Sequence, residues 1–467
     1  MTAQTILPAN SVTDTGYDVG NSIQFNGSNS VMQRDAAGTP SSTKIWSISF
    51  WVKRCRLGTT EMVWMHQNAA NHTAKFSLSF HNTDTFRIET YDGTNEYNLS
   101  TDMKFMDTSA WYSLLVNVDS TQGTEANRYK IFVNGIQADV TETGGGYPAQ
   151  NWDLDLGSQK IALGRYQAAS PSGYYDGYLA EVVYADGQTL APTDIGEFDS
   201  ASGIFKPIDV SGLTLGNAGF YIDFSDSSDL GAATGNDFAL TNLAAIDQST
   251  DTPTNNFMTL NRLSTDTGVT LTEGNVESDY DGSVGNAKGS IGLTRGRWYW
   301  EIKLTNAVSG YPMVGIGSMN QTAMQKPTGG SYPGGFTDSY GVYGSSLRLY
   351  ANGTNEGNKG DDYGSGDIIG IYLDLESSTK TIKWYKDGSS ILSDDIVNTG
   401  DDYPYTCMEY NGGEGAVNVQ YNFGGTPGFA ISSGNADGNG YGNFEFSPDI
   451  SSTKYYAVCT KNIAEFG

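Results

Sequence analysis

The chain has 467 residues, 38% hydrophobic and 12% aromatic, which is too long for one core and supplies enough apolar material for two or three. Its 53 acidic against 26 basic residues give a formal charge of −27, which repels phosphate backbones and anionic membranes, so nucleic acid and membrane insertion drop out. The 58 glycines and 29 tyrosines, with no long stretch of helical period, point to an all-β fold of short strands and many turns.

In chain order, the first unit spans residues 1–235. Its expected strands are Ser22–Phe25, Trp46–Lys53, Phe76–Phe80, Thr85–Thr90, Trp111–Asp119, Tyr129–Asn134, Lys160–Gly164 and Tyr178–Tyr184. Alternation puts Trp46, Ile48, Phe50 and Val52 on one face, as for a half-buried strand. Asn-Gly at 134–135 and Asp-Gly at 92–93 and 176–177 supply hairpin turns. Residues 236–255 are polar, contain a proline and lack periodicity, which marks a linker. The second unit, 256–425, offers strands at Val269–Thr272, Trp298–Leu304, Met313–Ile316, Tyr340–Tyr343, Leu347–Tyr350, Ile368–Leu375, Thr381–Lys386 and Val417–Phe423. The nearly all-apolar run 367–374 suits a strand buried on both sides. Residues 426–467 form a C-terminal extension, whose glycine-rich part 434–443 is either a flexible linker or a tight loop returning Tyr455–Lys461 to the sandwich.

Cys55, Cys407 and Cys459 are odd in number and far apart, which fits buried thiols rather than disulfides or a metal site. The start, MTAQTILPANSVTDTG, lacks the basic segment and apolar core of a secretion signal. No run approaches the roughly 18 apolar residues of a membrane span. The expectation is a protein made in a cytoplasm and used on an exposed surface in salty water, as a virion component would be.

Two resemblances sharpen this. Trp111–Asp119 followed by Arg128–Gly135, with Tyr174–Tyr184 and Leu190–Ile195 closing the unit, resembles the concanavalin A/laminin-G superfamily. At that closing segment Pro192 starts a short helix that Thr193 or Asp194 is placed to cap. Gly296–Glu301, Val314–Gly317, Tyr340–Tyr343, Gly366–Asp374 and Ile382–Gly388, in this order, resemble a SPRY domain. The implied fold is two antiparallel β-sandwiches, a laminin-G-like jelly roll and then a SPRY-type sandwich, with a short C-terminal extension. The combination resembles structural proteins of marine tailed bacteriophages. That implies a virion location, and partners among other virion proteins, copies of itself and a host surface glycan or protein. A trimer is implied by fibre proteins alone, since no heptad seam is visible.

Candidate sites are few. The loop Tyr332–Asp338 lies between core strands, and Tyr332, Phe336 and Asp338 are the candidate ligand contacts. Asp223, Asp226 and Asp229 are candidate ligands for Ca²⁺, the one cofactor considered, with Asp361 and Asp362 offering further oxygens. His66, His72 and His81 lie close in sequence without a recognised metal-ligand spacing. The nearest match to a glycosidase E-x-D-x-x-E strand is Glu197-Phe198-Asp199 with Ser202 in the third place. The expectation is a non-enzymatic virion surface protein, acting as capsid decoration, fibre or tail appendage, that binds host glycan or protein. Two alternatives stay open: a depolymerase acting on host polysaccharide, and a purely architectural protein without a ligand.

Overall fold

Side-chain alternation sets which way each strand faces. In Ile45–Arg54, Trp46, Ile48, Phe50 and Val52 point into the core between two sheets, whereas Trp51 lies in a separate apolar layer. The computed structural model describes residues 16–35, 38–67, 75–91, 94–153, 160–166, 172–307, 312–321, 324, 331–345, 347–360, 362–392, 395–396, 404–413 and 415–467. Every strand expected from the sequence is present. The chain divides into two compact units that meet in sequence between Thr254 and Asn255.

The first unit is a sandwich of two antiparallel sheets. One runs Ile136–Gln137, Tyr129–Val133, Trp111–Asp119, Ile45–Arg54, Asp176–Asp186, Ser22–Asn26, Gln248–Ser249, with Phe220–Ile222 also paired to Asp176–Asp186. The other runs Val140–Gly144, Glu96–Lys104, Thr85–Tyr91, Lys75–Phe80, Glu61–Gln67, Lys160–Leu163, Val31–Arg34, Ala239–Thr241. Trp46, Trp64, Phe76, Phe86, Leu114, Ile131 and Phe220 fill the space between them. The outer face of the first sheet is also dry: Trp51, Trp111 and Tyr178 pack there under Leu190, Ile195, Phe205 and Val210.

The second unit repeats this plan. A nine-stranded sheet, centred on Arg297–Ala307 between Ala416–Asn422 and Ile368–Asp374, faces a six-stranded sheet that includes Met313–Ser318 and Tyr405–Gly412. Ile369, Ile371 and Leu373 point into the core between them, and Tyr372 points outward into a cluster with Phe257, Tyr299, Phe444 and Tyr455. The strand at 368–374 is thus buried on both sides because the C-terminal residues cover its back.

Four local expectations change. The stretch 236–255 is not a free linker. Ala239–Thr241 pairs with Val31–Met32–Gln33 and Gln248–Ser249 pairs with Ser22–Ile23, so polar residues without periodicity still satisfy their backbone at a sheet edge. The glycine-rich stretch 434–443 is a tight loop, closed by the Asn435–Phe444 bridge. Asp176–Gly177 is no turn: Gly177 lies inside a strand, where an added Cβ would collide with the Lys53 carbonyl oxygen. The short helix after Leu190 is one 3₁₀ turn, Pro192–Asp194, in which the Asp194 carboxylate accepts the Ala191 N–H at 2.7 Å and Thr193 caps nothing. By contrast, Asn134 (φ 47°) and Gly135 (φ 78°) make the expected tight hairpin. Asp92–Gly93 lies outside the described residues.

Candidate functional site

Most of the acidic groups singled out in the sequence are committed to local structure. Asp223 accepts from the N–H and hydroxyl of Ser225, and Asp226 from those of Ser228. The Ser228 hydroxyl and N–H hold the Asp226 carboxyl below its usual range. The N–H of Asp229 donates to the carbonyl of Asp226, so the three aspartates form successive turns. They do not converge as Ca²⁺ ligands, and among the described residues no group of three or more His, Cys, Asp or Glu does so. Asp361 and His72 lie outside the described residues, and the Asp362 carbonyl accepts from Lys386 Nζ.

The glycosidase-like segment is likewise a turn. Asp199 accepts from the N–H groups of Ala201 and Ser202 and from the Ser202 hydroxyl, and those Ser202 bonds hold its carboxyl low. Lys206 Nζ sits 3.2 Å from Glu197 and 3.8 Å from Asp199. A carboxylate held ionised by a lysine and three donors is a poor general acid.

His66 is fully buried among Trp46, Trp64, Phe76 and Tyr184, with its Nδ1 accepting from Trp64 Nε1 at 3.2 Å. Burial, aided by the Arg34 cation, pushes its pKa down to about 3, so it is a neutral core residue. His81 is a turn residue whose Nδ1 lies 3.2 Å from the Thr83 hydroxyl. The three cysteines are buried.

On the second sandwich the candidate loop is anchored rather than free. Asp338 is buried in a left-handed conformation (φ 55°); its N–H donates to Asn352 Oδ1 and its carboxylate accepts from Gln321. The Phe336 ring packs over Gly317. Tyr332 stays half-buried, with ring centroids 5.5 Å from Tyr350 and 5.6 Å from Tyr410. Of the three candidate contacts, only Tyr332 offers a ring face in an aromatic group.

The clefts among the described residues of the first sandwich include two that were not legible in the sequence. One, of about 270 Å³, is lined by Asn117, Asp119, Gln122, Lys130, Phe132 and Pro192, among others. Its position follows from strand alternation. Tyr129, Ile131 and Val133 face the core, so Lys130 and Phe132 face outward beside the Leu190 turn. Its polar wall is pre-set: Asn117 accepts from the Ser47 hydroxyl and donates to the Leu190 carbonyl, and Asp119 accepts from Thr121 and Gln122. Burial pushes the Asp119 pKa up, but those hydrogen bonds outweigh it and keep the carboxylate ionised. A half-buried phenyl ring beside fixed amide and carboxylate groups suits a sugar, with one apolar face and a rim of hydroxyls. The second cleft, of about 360 Å³, is lined by Gln33, Arg34, Asp35, Lys160, Asn236, Asp237, Ala239 and Thr241.

Glu181 is a further group without a sequence signal. It occupies a bulge in Asp176–Asp186 with φ 51°, nearly buried, and accepts from the hydroxyls of Tyr221 (2.9 Å) and Tyr17 (3.2 Å). Burial pushes its pKa up to about 7. It lines neither cleft, and its two tyrosines account for its environment.

Residues 25–195 match the profile of the concanavalin A-like lectin/glucanases superfamily, and residues 297–425 match the SPRY domain. No curated protein matches the chain. Among solved structures, a human SPRY domain is 21% identical, covering 33% of this chain and 94% of that one, with a TM-score of 0.26. The LG1-3 region of the laminin alpha2 chain is 10% identical over 86% of this chain and 61% of that one, at a TM-score of 0.34. A heptameric pentraxin from Limulus polyphemus is 12% identical over 49% of this chain and 97% of that one, at 0.31. The chain carries a concanavalin A-like domain in its first half and a SPRY domain in its second.

Proposed function

We propose that the protein is a non-enzymatic, glycan-binding surface protein of a virion, with the cleft beside Phe132 as its sugar site. The observation that carries the reading is that cleft: one half-buried aromatic ring among amide and carboxylate groups fixed by Ser47, Thr121 and Gln122. The acidic residues nearest to a glycosidase pattern, Glu197 and Asp199, are tied to Lys206 and to a turn, which favours holding a sugar over cleaving it. On the second sandwich we assign Tyr332, with Tyr350 and Tyr410 behind it, as the contact surface for a host or virion protein. Self-association as a trimer belongs to the same proposal. The acidic surface and the pairing of these two domains support a virion location. A glycan array probed with the whole chain tests the sugar site. A hit weakened roughly tenfold or more by Phe132→Ala is the expected result, because one stacked ring contributes on the order of 1–3 kcal/mol. Mass spectrometry of purified particles tests the location, and absence of the chain from them would refute it.

A further inference from the structure

Arg34 ends the strand Val31–Arg34 with only 3% of its surface exposed. Its guanidinium lies over the ring of Phe220 (4.6 Å) and near that of Phe238 (5.5 Å). Those rings fix the plane of the group but accept no conventional hydrogen bond. Nε and Nη1 have no hydrogen-bond partner among the described residues. A guanidinium cannot shed its charge, so a buried one calls for an acceptor, preferably an anion.

Among the described residues no interior group accepts a hydrogen bond from Nε or Nη1. Behind Arg34, Tyr184 Oη, His66 Nε2 and Trp46 Nε1 are themselves buried without hydrogen-bond partners among the described residues. These three rings lie within 6.5 Å of one another, centroid to centroid. All three are neutral: His66 has its pKa near 3, and burial raises that of Tyr184. Outward, Arg34 lines the 360 Å³ cleft together with Lys160, Gln33 and Asn236. The cleft's two carboxylates are partly committed elsewhere, and the charge of Asp237 acts on Arg34 without a hydrogen bond to it. Asp35 pairs with Lys160 at 2.7 Å on the open rim, and Asp237 accepts the Ala233 N–H at 3.2 Å.

We propose that this cleft binds a carboxylate-bearing sugar, with Arg34 receiving the carboxylate and the amides of Gln33 and Asn236 meeting hydroxyls. The assignment rests on the glycan-binding reading above and adds to it a second site and a substrate class. Nε and Nη1 are closed off from the cleft, so the carboxylate is met at Nη2 by one charge-assisted hydrogen bond, with the full guanidinium charge behind it. The phenyl rings on its other side exclude water and strengthen the interaction.

The test is a titration of the full chain with a uronic acid oligomer, and with the same oligomer after its carboxyls are reduced to alcohols. Saturable binding of the acidic form is expected, with the reduced form roughly tenfold or more weaker. Arg34→Met weakens the acidic form roughly ten- to a hundredfold without lowering the melting temperature, since it removes a buried charge that has no internal hydrogen-bond partner and keeps an apolar side chain on Phe220 and Phe238. Lys160→Gln, at the exposed rim, weakens binding by about two- to fivefold and keeps the readout if Arg34→Met does not fold. Equal binding of acidic and reduced oligomers, unaffected by Arg34→Met but lost with Phe132→Ala, overturns this site and leaves the glycan-binding reading standing. No binding of any oligosaccharide overturns both. Competition by oligoglutamate at equal strength overturns the sugar assignment in favour of a protein carboxylate. A fall in melting temperature with Arg34→Met shows an internal partner and overturns the argument at its base.

Discussion

Glu409 sits inside the second core, where the hydroxyls of Ser278, Tyr280 (2.9 Å) and Tyr421 (2.8 Å) all point at its carboxyl. Burial raises its pKa from 4.5 to about 7, so the folded protein takes up a proton that the unfolded chain releases near pH 4.5. The stability this contributes is complete below pH 4.5 and is lost as the pH rises through 7, about 3 kcal/mol in all. Glu181 acts in the same direction in the first unit. Melting curves are expected to shift down between pH 5 and pH 8, and Glu409→Gln to flatten that trend in the second unit. A second prediction concerns Lys53 and Asp251, a fully buried pair 2.6 Å apart in which Asp251 also accepts from Trp111 Nε1. Lys53→Met leaves a buried carboxylate without its cation and costs about 3–5 kcal/mol, read as a fall in the denaturation midpoint of the first unit. None of these pairings was legible in the sequence. Lys53 and Asp251 are separated by most of a domain, and Glu409 reads as one polar residue in an alternating strand. The serine-bonded turns at Asp223–Asp229 were not legible either, whereas Glu197–Asp199 already lacked a third carboxylate at Ser202. Aspartate before serine serves a turn as well as it serves a metal, and only the hydrogen bonds tell the two apart.

Among elements, strands with strict alternation or unbroken apolar runs were legible, because a sheet face must be one or the other. Ile45–Arg54 and Ile368–Asp374 are the clearest cases. Strands hidden in polar composition, such as Glu277–Asp281 and Val140–Gly144, were missed because their outward faces carry charge and hydroxyl groups. The C-terminal extension takes the second of the two courses that the sequence left open, the tight loop. Glu301, buried in Arg297–Ala307, accepts the backbone N–H groups of Glu445 (3.0 Å) and Phe446 (2.7 Å) as well as the Tyr299 hydroxyl. Asp437 accepts from the Ala457 N–H and Asn462 Nδ2, which fixes the last strand and the helix Thr460–Phe466. Glu301→Ala strands buried donors and is expected to cost about 2–5 kcal/mol. Hydrogen exchange in residues 430–467 should accelerate well before exchange in the core strands does. If protection there stays unchanged, the extension is held by its aromatic contacts alone.

At the scale of the whole molecule, each half carries its own two-sheet core and its own covered outer face. Fragments 1–254 and 255–467 are therefore each expected to unfold cooperatively when expressed alone, as calorimetry would show. The fold class and the order of the two domains were legible in the sequence, since motif order survives where pairwise contacts do not. The clefts were not: Phe132 and Arg34 gain their meaning from residues brought beside them across the sheets. Whether the chain holds sugars or cuts them is the central question, and incubation with oligosaccharides followed by both binding and product analysis addresses it most directly. Saturable binding with every oligosaccharide recovered at its original length is the predicted result. Shortened products that disappear on mutating an acidic residue, or no binding at all, would contradict it.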